Sequence, residues 1–152
     1  MKNNLTIILC LVLLTLSAAT VNAQQNRSST KPVLFSNLPV TIDFTETQLG
    51  ALFNSAKGQN ISLLVASQVS LSGPVTSNLF KYANLQTLVI QLPAYQNTFF
   101  SISKQTENNT ITYVGRIFNP AYADGYELKK TVNGNYQLLK INTENILTNC
   151  SQ

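Results

Sequence analysis

Hydrophobic and polar residues first alternate in residues 38–44, where the apolar positions would line one face of a strand. A helix should follow directly, because Thr45 and Gln48 have the spacing of a capping box. Gly58 supplies a left-handed stop for that helix. We therefore predict a strand and then a helix from Glu46 to about Lys57, whose apolar stripe is Leu49, Leu52, Phe53 and Ala56.

A second strand and a second helix are predicted further along the chain. Residues 61–66 are short, apolar and partly β-branched, which is typical of a strand buried on much of both faces. After a break at residues 72–74, residues 75–82 should form another strand. Asn84 can then cap a helix that Pro93 ends, with an apolar stripe at Leu85, Leu88, Val89 and Leu92.

Two hairpins complete the predicted elements. Residues 98–104 and 110–114 are β-branched and aromatic runs joined by a turn-rich connector. Residues 126–132 and 136–141 flank Asn133-Gly134, a dipeptide that favours a type I′ turn. The predicted fold is α+β, a small β-α-β-β-α-β-β domain with two helices packed on one sheet, plus a C-terminal β-hairpin. Its core should contain Ile42, Phe44, Leu49, Leu52, Phe53, Leu63, Val65, Leu85, Leu88, Leu92, Phe100, Ile102 and Ile111.

The N-terminal residues of the chain indicate export. Residues 1–23 have a basic start, an apolar run and a small-residue cleavage site, as in a cleaved signal peptide; an uncleaved anchor is the alternative. Cys10 follows Leu9, which does not fit a lipoprotein signal. We expect a flexible leader over residues 24–37, the domain over 38–118, and the C-terminal hairpin and tail over 119–152. The protein should be periplasmic or associated with the outer membrane.

The composition argues against nucleic-acid binding, an intramolecular disulfide and catalysis. The chain has 10 basic and 6 acidic residues, and of the basic ones only Lys129 and Lys130 are adjacent. After cleavage Cys150 would be the only thiol, so it is either a tail cysteine or a site of intermolecular pairing. Without His, and with one Cys left after cleavage, the chain offers no metal ligand set.

Acid–base groups are equally sparse. Asp43 and Glu46 are close in sequence, but acids beside a helix N-terminus are explained by the helix dipole. A nucleophilic serine would need Lys57, Lys81 or Lys104 as its base, and each is expected to be solvated. We predict no catalytic, cofactor-binding or metal-binding residues and no enzymatic activity.

The order and lengths of these elements resemble the secretin and TonB short N-terminal (STN) domain. The resemblance covers about residues 39–114. It rests on residues 40–52 (VTIDFTETQLGAL), 57–65 (KGQNISLLV), 67–69 (SQV), 84–88 (NLQTL) and 108–113 (NNTITY). The chain departs from the family at residues 89–95 (VIQLPAY), where the family often continues its helix and then reaches a Gly.

The resemblance implies a docking module. Its partner would be an envelope transport or signalling component, namely a secretin, a TonB-dependent receptor or an anti-sigma regulator of the kind found in Bacteroidota. Fewer than 40 residues follow Val114, so we expect neither a channel nor a receptor barrel. We expect a non-catalytic periplasmic interaction module with no membrane span after cleavage. A secreted structural or adhesive surface protein is the alternative.

Overall fold

The computed structural model of the protein describes residues 31–65 and 69–143. They form an eight-stranded antiparallel sheet curled into half of a barrel. No helix among them is long and apolar enough to cross a membrane. In chain order the elements are β1 (Thr41–Phe44), α1 (Glu46–Leu52), β2 (Asn60–Val65), β3 (Val69–Tyr82), β4 (Leu85–Leu92), a 3₁₀ turn (Pro93–Tyr95), β5 (Thr98–Glu107), β6 (Thr110–Phe118), β7 (Asp124–Lys130) and β8 (Tyr136–Asn142).

The strands follow one another across the sheet with a single exception. From β2 to β8 each strand pairs with the next one in the chain, and β1 pairs with β8. β1 and β2 are therefore the two edges of the sheet. Ile42 stands opposite Leu138 at one edge, and Leu63 stands opposite Leu71 at the other. The β7–β8 hairpin lies between β6 and β1, so it belongs to the same sheet.

The core lies on one face of the sheet, where alternate residues of neighbouring strands stand side by side. Ile102 on β5 is opposite both Leu88 and Gly115. A Cβ at Gly115 would lie 2.7 Å from the Ser101 carbonyl oxygen, so the close approach of these strands requires glycine. The predicted core residues confirmed as buried are Ile42, Phe44, Leu49, Leu52, Phe53, Leu88, Leu92, Phe100 and Ile102.

The first predicted helix is confirmed at its start and wrong at its end. The Thr45 Oγ1 accepts from the Gln48 backbone N–H, and the Gln48 side chain accepts from the Thr45 N–H, so the capping box is complete. The helix stops at Leu52 rather than Lys57. One reason is that Asn78 on β3 donates its side-chain amide to the carbonyl of Phe53 at 2.9 Å, which ties the chain to the sheet.

The second predicted helix is wrong, and with it the α+β fold class. Residues 85–92 form the central strand β4, paired on both sides by β3 and β5. Leu88, Ile90 and Leu92 are buried, and the residues between them are less so, which is the two-residue period of a strand. Leu85, Leu88 and Leu92 also fit a helical stripe, but β-branched neighbours and two partner strands favour the sheet.

Both predicted hairpins form, with different turns. Asn108 and Asn109 have φ of 47° and 60°, so a two-residue turn joins β5 to β6. The connector is thus shorter than predicted. In the β7–β8 hairpin the Gly134 N–H donates to the Thr131 carbonyl at 3.0 Å. Gly134 has a φ of +83°, and Asn133 is not left-handed, so the predicted type I′ turn is wrong.

The segment before β1 is more ordered than predicted. Phe35, expected in a flexible leader, is 1% exposed and belongs to the core. The carboxylate of Asp124 accepts hydrogen bonds from the backbone N–H groups of Leu34 at 2.7 Å and Phe35 at 2.9 Å. The predicted signal peptide, the rest of the leader, and the tail with Cys150 lie outside the described residues.

Candidate binding site

In β2, the backbone N–H and C=O groups of every second residue point away from β3. The Val75 N–H donates to the Gln59 carbonyl at 2.9 Å, which places the first hydrogen bond of the β2–β3 ladder at this pair. Hydrogen-bonded and non-bonded pairs alternate in an antiparallel ladder. Asn60 opposite Pro74 is therefore a non-bonded pair, consistent with the missing N–H of proline.

This alternation fixes which groups are available at the edge. Ser62 opposite Ser72 and Leu64 opposite Ser70 are also non-bonded pairs. The N–H and C=O groups of Asn60, Ser62 and Leu64 therefore point away from β3. No strand in the described part of the chain pairs with β2 on that side. We call these groups the free main-chain edge: part of β1 comes near β2, but it makes no main-chain hydrogen bond to them.

The side chains of β2 leave this edge accessible. Leu64 is 73% exposed, and Ser62 is exposed as well. Ile61 and Leu63 are partly buried and pack against the core from the other face. The prediction that this strand is buried on much of both faces is therefore wrong, because the face with Ser62 and Leu64 is exposed. Asn60–Val65 contains neither a charged residue nor a proline, which are common protections of an edge strand.

A groove of about 570 Å³ lies beside the start of β2. Its shape depends on Gly73, where a Cβ would lie 1.8 Å from the Gln91 carbonyl oxygen. Only glycine permits this close crossing of β3 over the end of β4. The predicted break at residues 72–74 is thus a part of the strand instead. The groove is lined by Asn60, Ile61, Ser62, Ser72, Gly73, Pro74, Pro93 and Ala94.

A second cleft, of about 450 Å³, lies between β6 and β7. The Glu127 carboxylate there is 2.8 Å from Lys129 Nζ and 2.9 Å from Arg116. Hydrogen bonds from Lys129 and then from Arg116 lower the pKa of Glu127. A carboxylate held in its charged form by two cations is a poor general base at neutral pH. The Arg116–Glu127 pair crosses from β6 to β7, whereas Lys129 and Glu127 are both on β7.

The segment before β1 is held by side chains that the sequence pattern did not single out. The Tyr126 hydroxyl donates to the Pro39 carbonyl at 2.6 Å. Burial, with smaller effects from Asp124 and then Tyr95, raises the pKa of Tyr126 to about 12. Lys140 Nζ donates to the carbonyls of Phe35 at 2.6 Å and Leu38 at 2.7 Å. These contacts join residues about 90–100 positions apart in sequence, so no local pattern signals them.

The polar residues weighed from the sequence do not come together. Asp43 accepts a hydrogen bond from the Gln137 side chain at 2.7 Å on β8, and Glu46 lies in the first turn of α1. Lys57 and Lys81 are exposed, and Lys104 Nζ lies 6.0 Å from the centre of the Phe53 ring. Within residues 31–65 and 69–143, no three His, Cys, Asp or Glu side chains are grouped to hold a metal ion.

The comparisons with known proteins leave the site to be interpreted from its geometry. No family model, curated protein or solved structure matches the chain. The resemblance to the STN domain rested on an order of elements with two helices, and the structure has β4 in place of the second. A partner is therefore best defined by the chemistry of the β2 edge.

Proposed function

We propose that the protein is a non-catalytic interaction module of the cell envelope. It binds an extended segment of another envelope protein, which adds to the sheet as a new strand along β2. The observation that carries this proposal is the free main-chain edge formed by Asn60, Ser62 and Leu64. Location in the envelope rests on the expected signal peptide in residues 1–23.

Strand addition fits the chemistry of this edge. Main-chain hydrogen bonds supply affinity in this mode, and pockets for alternate side chains supply specificity. β2 offers both donors and acceptors at every second residue, and the groove beside Gly73 and Pro74 can take a side chain of the partner. The exposed Leu64 provides an apolar contact on the neighbouring face. None of these features requires a reactive group.

Proline substitutions test the proposal through the direction of each amide. Ser62→Pro removes an outward N–H and leaves the β2–β3 ladder intact, so the fold should be retained. Leu63→Pro removes an inward N–H and should destabilise the hairpin by about 1–3 kcal/mol. A photoreactive residue at position 64 in the intact cell should capture a discrete envelope protein. Ser62→Pro should abolish that capture.

Two outcomes would overturn the proposal. One is capture that Ser62→Pro leaves at the wild-type level, because binding would then not use the edge. The other is recovery of the uncomplexed protein alone, under conditions that capture known envelope complexes. Ser62→Ala is the matched control, since it keeps the outward N–H and should bind as the wild type does. Loss of capture in both variants would indicate a role of the hydroxyl rather than strand addition.

A further inference from the structure

The turn between β3 and β4 carries a group of exposed apolar side chains. We define the β3–β4 tip as residues 79–85. Within it Leu79 is 53% exposed, Phe80 73% and Tyr82 71%. Leu79 and Phe80 are consecutive in the β3–β4 ladder and so point to opposite faces of the sheet, which gives the tip exposed apolar side chains on both faces. Single exposed apolar residues are ordinary, but three at one hairpin tip are an unusual concentration. None of the three belongs to the core or packs against it as a partly buried residue.

The charges around the tip are mainly positive. From Thr47 to Thr106 the chain contains three lysines and no acidic residue. Lys81 lies within the tip, and Lys104 lines a small hollow beside Phe80. Glu107, which follows Lys104 on β5, accepts a hydrogen bond from Gln105 at 2.6 Å. Residues 79–85 therefore contain one lysine and no acid, and the neighbouring end of β5 contains one of each.

The shape of the tip favours a surface over a small molecule. The hollow beside Phe80 is only about 90 Å³, whereas ligand pockets are usually about 300–1,000 Å³. The apolar residues project from a turn instead of lining a cavity. Aromatic rings flanked by lysine are typical of segments that lie at the headgroup level of a bilayer, where lysine meets anionic lipid.

We propose that the β3–β4 tip binds the surface of a membrane that contains anionic lipids. Phe80, Tyr82 and Leu79 enter the interface, and Lys81 and Lys104 contact the lipid phosphates. This surface is separate from the β2 edge, so the proposal stands or falls independently of strand addition. It would place the free edge close to a membrane, where envelope partners are found.

Vesicle co-flotation tests this proposal with the purified full-length exported protein. The wild type should bind phosphatidylcholine vesicles that contain phosphatidylglycerol and should bind pure phosphatidylcholine vesicles more weakly. The double variant F80S/Y82S should lose about tenfold or more in partitioning, because it removes two large apolar groups. Lys81→Gln should lose about fivefold. The double variant V114S/V132S removes exposed apolar groups elsewhere and should bind normally.

A tryptophan reporter keeps the test decisive if F80S/Y82S folds poorly. The chain contains no tryptophan, so Tyr82→Trp reports on the tip alone. Its fluorescence should shift to the blue when anionic vesicles are added. The proposal is overturned by an unchanged spectrum, by absent wild-type binding, by equal binding to both kinds of vesicle, or by wild-type binding of F80S/Y82S.

Discussion

β1 and β2 are edges of the same sheet, and they differ in length, charge and surroundings. β1 has four residues, carries Asp43 and follows Pro39. Its lead-in is fastened by the side chains of Tyr126 and Lys140. β2 has six residues, no charge and no proline, and the side chain of Leu64 is left in the open. Charge, proline and short length are the usual protections of an edge, and only β1 has them.

This difference between the two edges indicates what β2 is used for. An unprotected edge exposes unpaired main-chain groups and so invites pairing with another chain. The charge, proline and short length at β1 show that this sequence can protect an edge. Their absence from β2 is therefore specific to that strand. An edge that must accept a partner has to keep its donors and acceptors free, and β2 does.

The largest expected difference between the edges is in stability. Ile42 on β1 is fully buried, so Ile42→Ala should lower the free energy of unfolding by about 2–5 kcal/mol. Leu64→Ala on β2 should change it by less than about 0.5 kcal/mol, as is usual for exposed positions. Urea denaturation of both variants measures this. Equal losses would show that Leu64 is packed and that β2 is not an open edge.

Local signals in the sequence predicted the fold near β1 better than the fold near β4. The capping box at Thr45 and Gln48 is a contact within one turn, so its residues specify the start of α1 by themselves. Residues 85–92 satisfy a helical stripe and a strand period together. The choice between them depends on β3 and β5, which pair with β4 through residues that no local pattern connects to it.

The candidate site was only partly predictable for the same reason. The strand at residues 61–66 was expected, but whether it is an edge depends on the pairing of all eight strands. Tyr113, Tyr126 and Tyr136 were missed as core residues because each is buried against a distant strand or segment. For example, the Tyr136 hydroxyl oxygen accepts a hydrogen bond from the backbone N–H of Tyr113 at 3.2 Å.

High pH should lower the free energy of unfolding through Tyr126, by an amount between the effects of Ile42→Ala and Leu64→Ala. Tyr126 has its pKa raised from 10 to about 12, so between these values the unfolded chain releases the proton and the folded chain keeps it. The stabilisation is complete below about pH 10 and is lost as the pH rises through about 12. Across this range the wild type should lose about 1–3 kcal/mol more than Tyr126→Phe. Parallel losses in urea denaturation of the two proteins would contradict this account.

The smallest effect on stability should come with the clearest effect on binding. Leu64→Lys places on β2 the kind of charge that protects other edges. Because the side chain at position 64 is 73% exposed, the free energy of unfolding should change by less than about 0.5 kcal/mol. Capture of a partner by a photoreactive residue at position 62 should nevertheless be lost, since a lysine at the edge must be desolvated when a strand adds beside it.

The control for this charge is Val132→Lys, which adds the same side chain at a fully exposed position in the β7–β8 turn. It should bind the partner as the wild type does. If both lysine variants lost the partner equally, net charge would explain the loss and the edge would not. If Leu64→Lys kept the partner, added charge would not protect β2, and the difference between the two edges would have no bearing on binding.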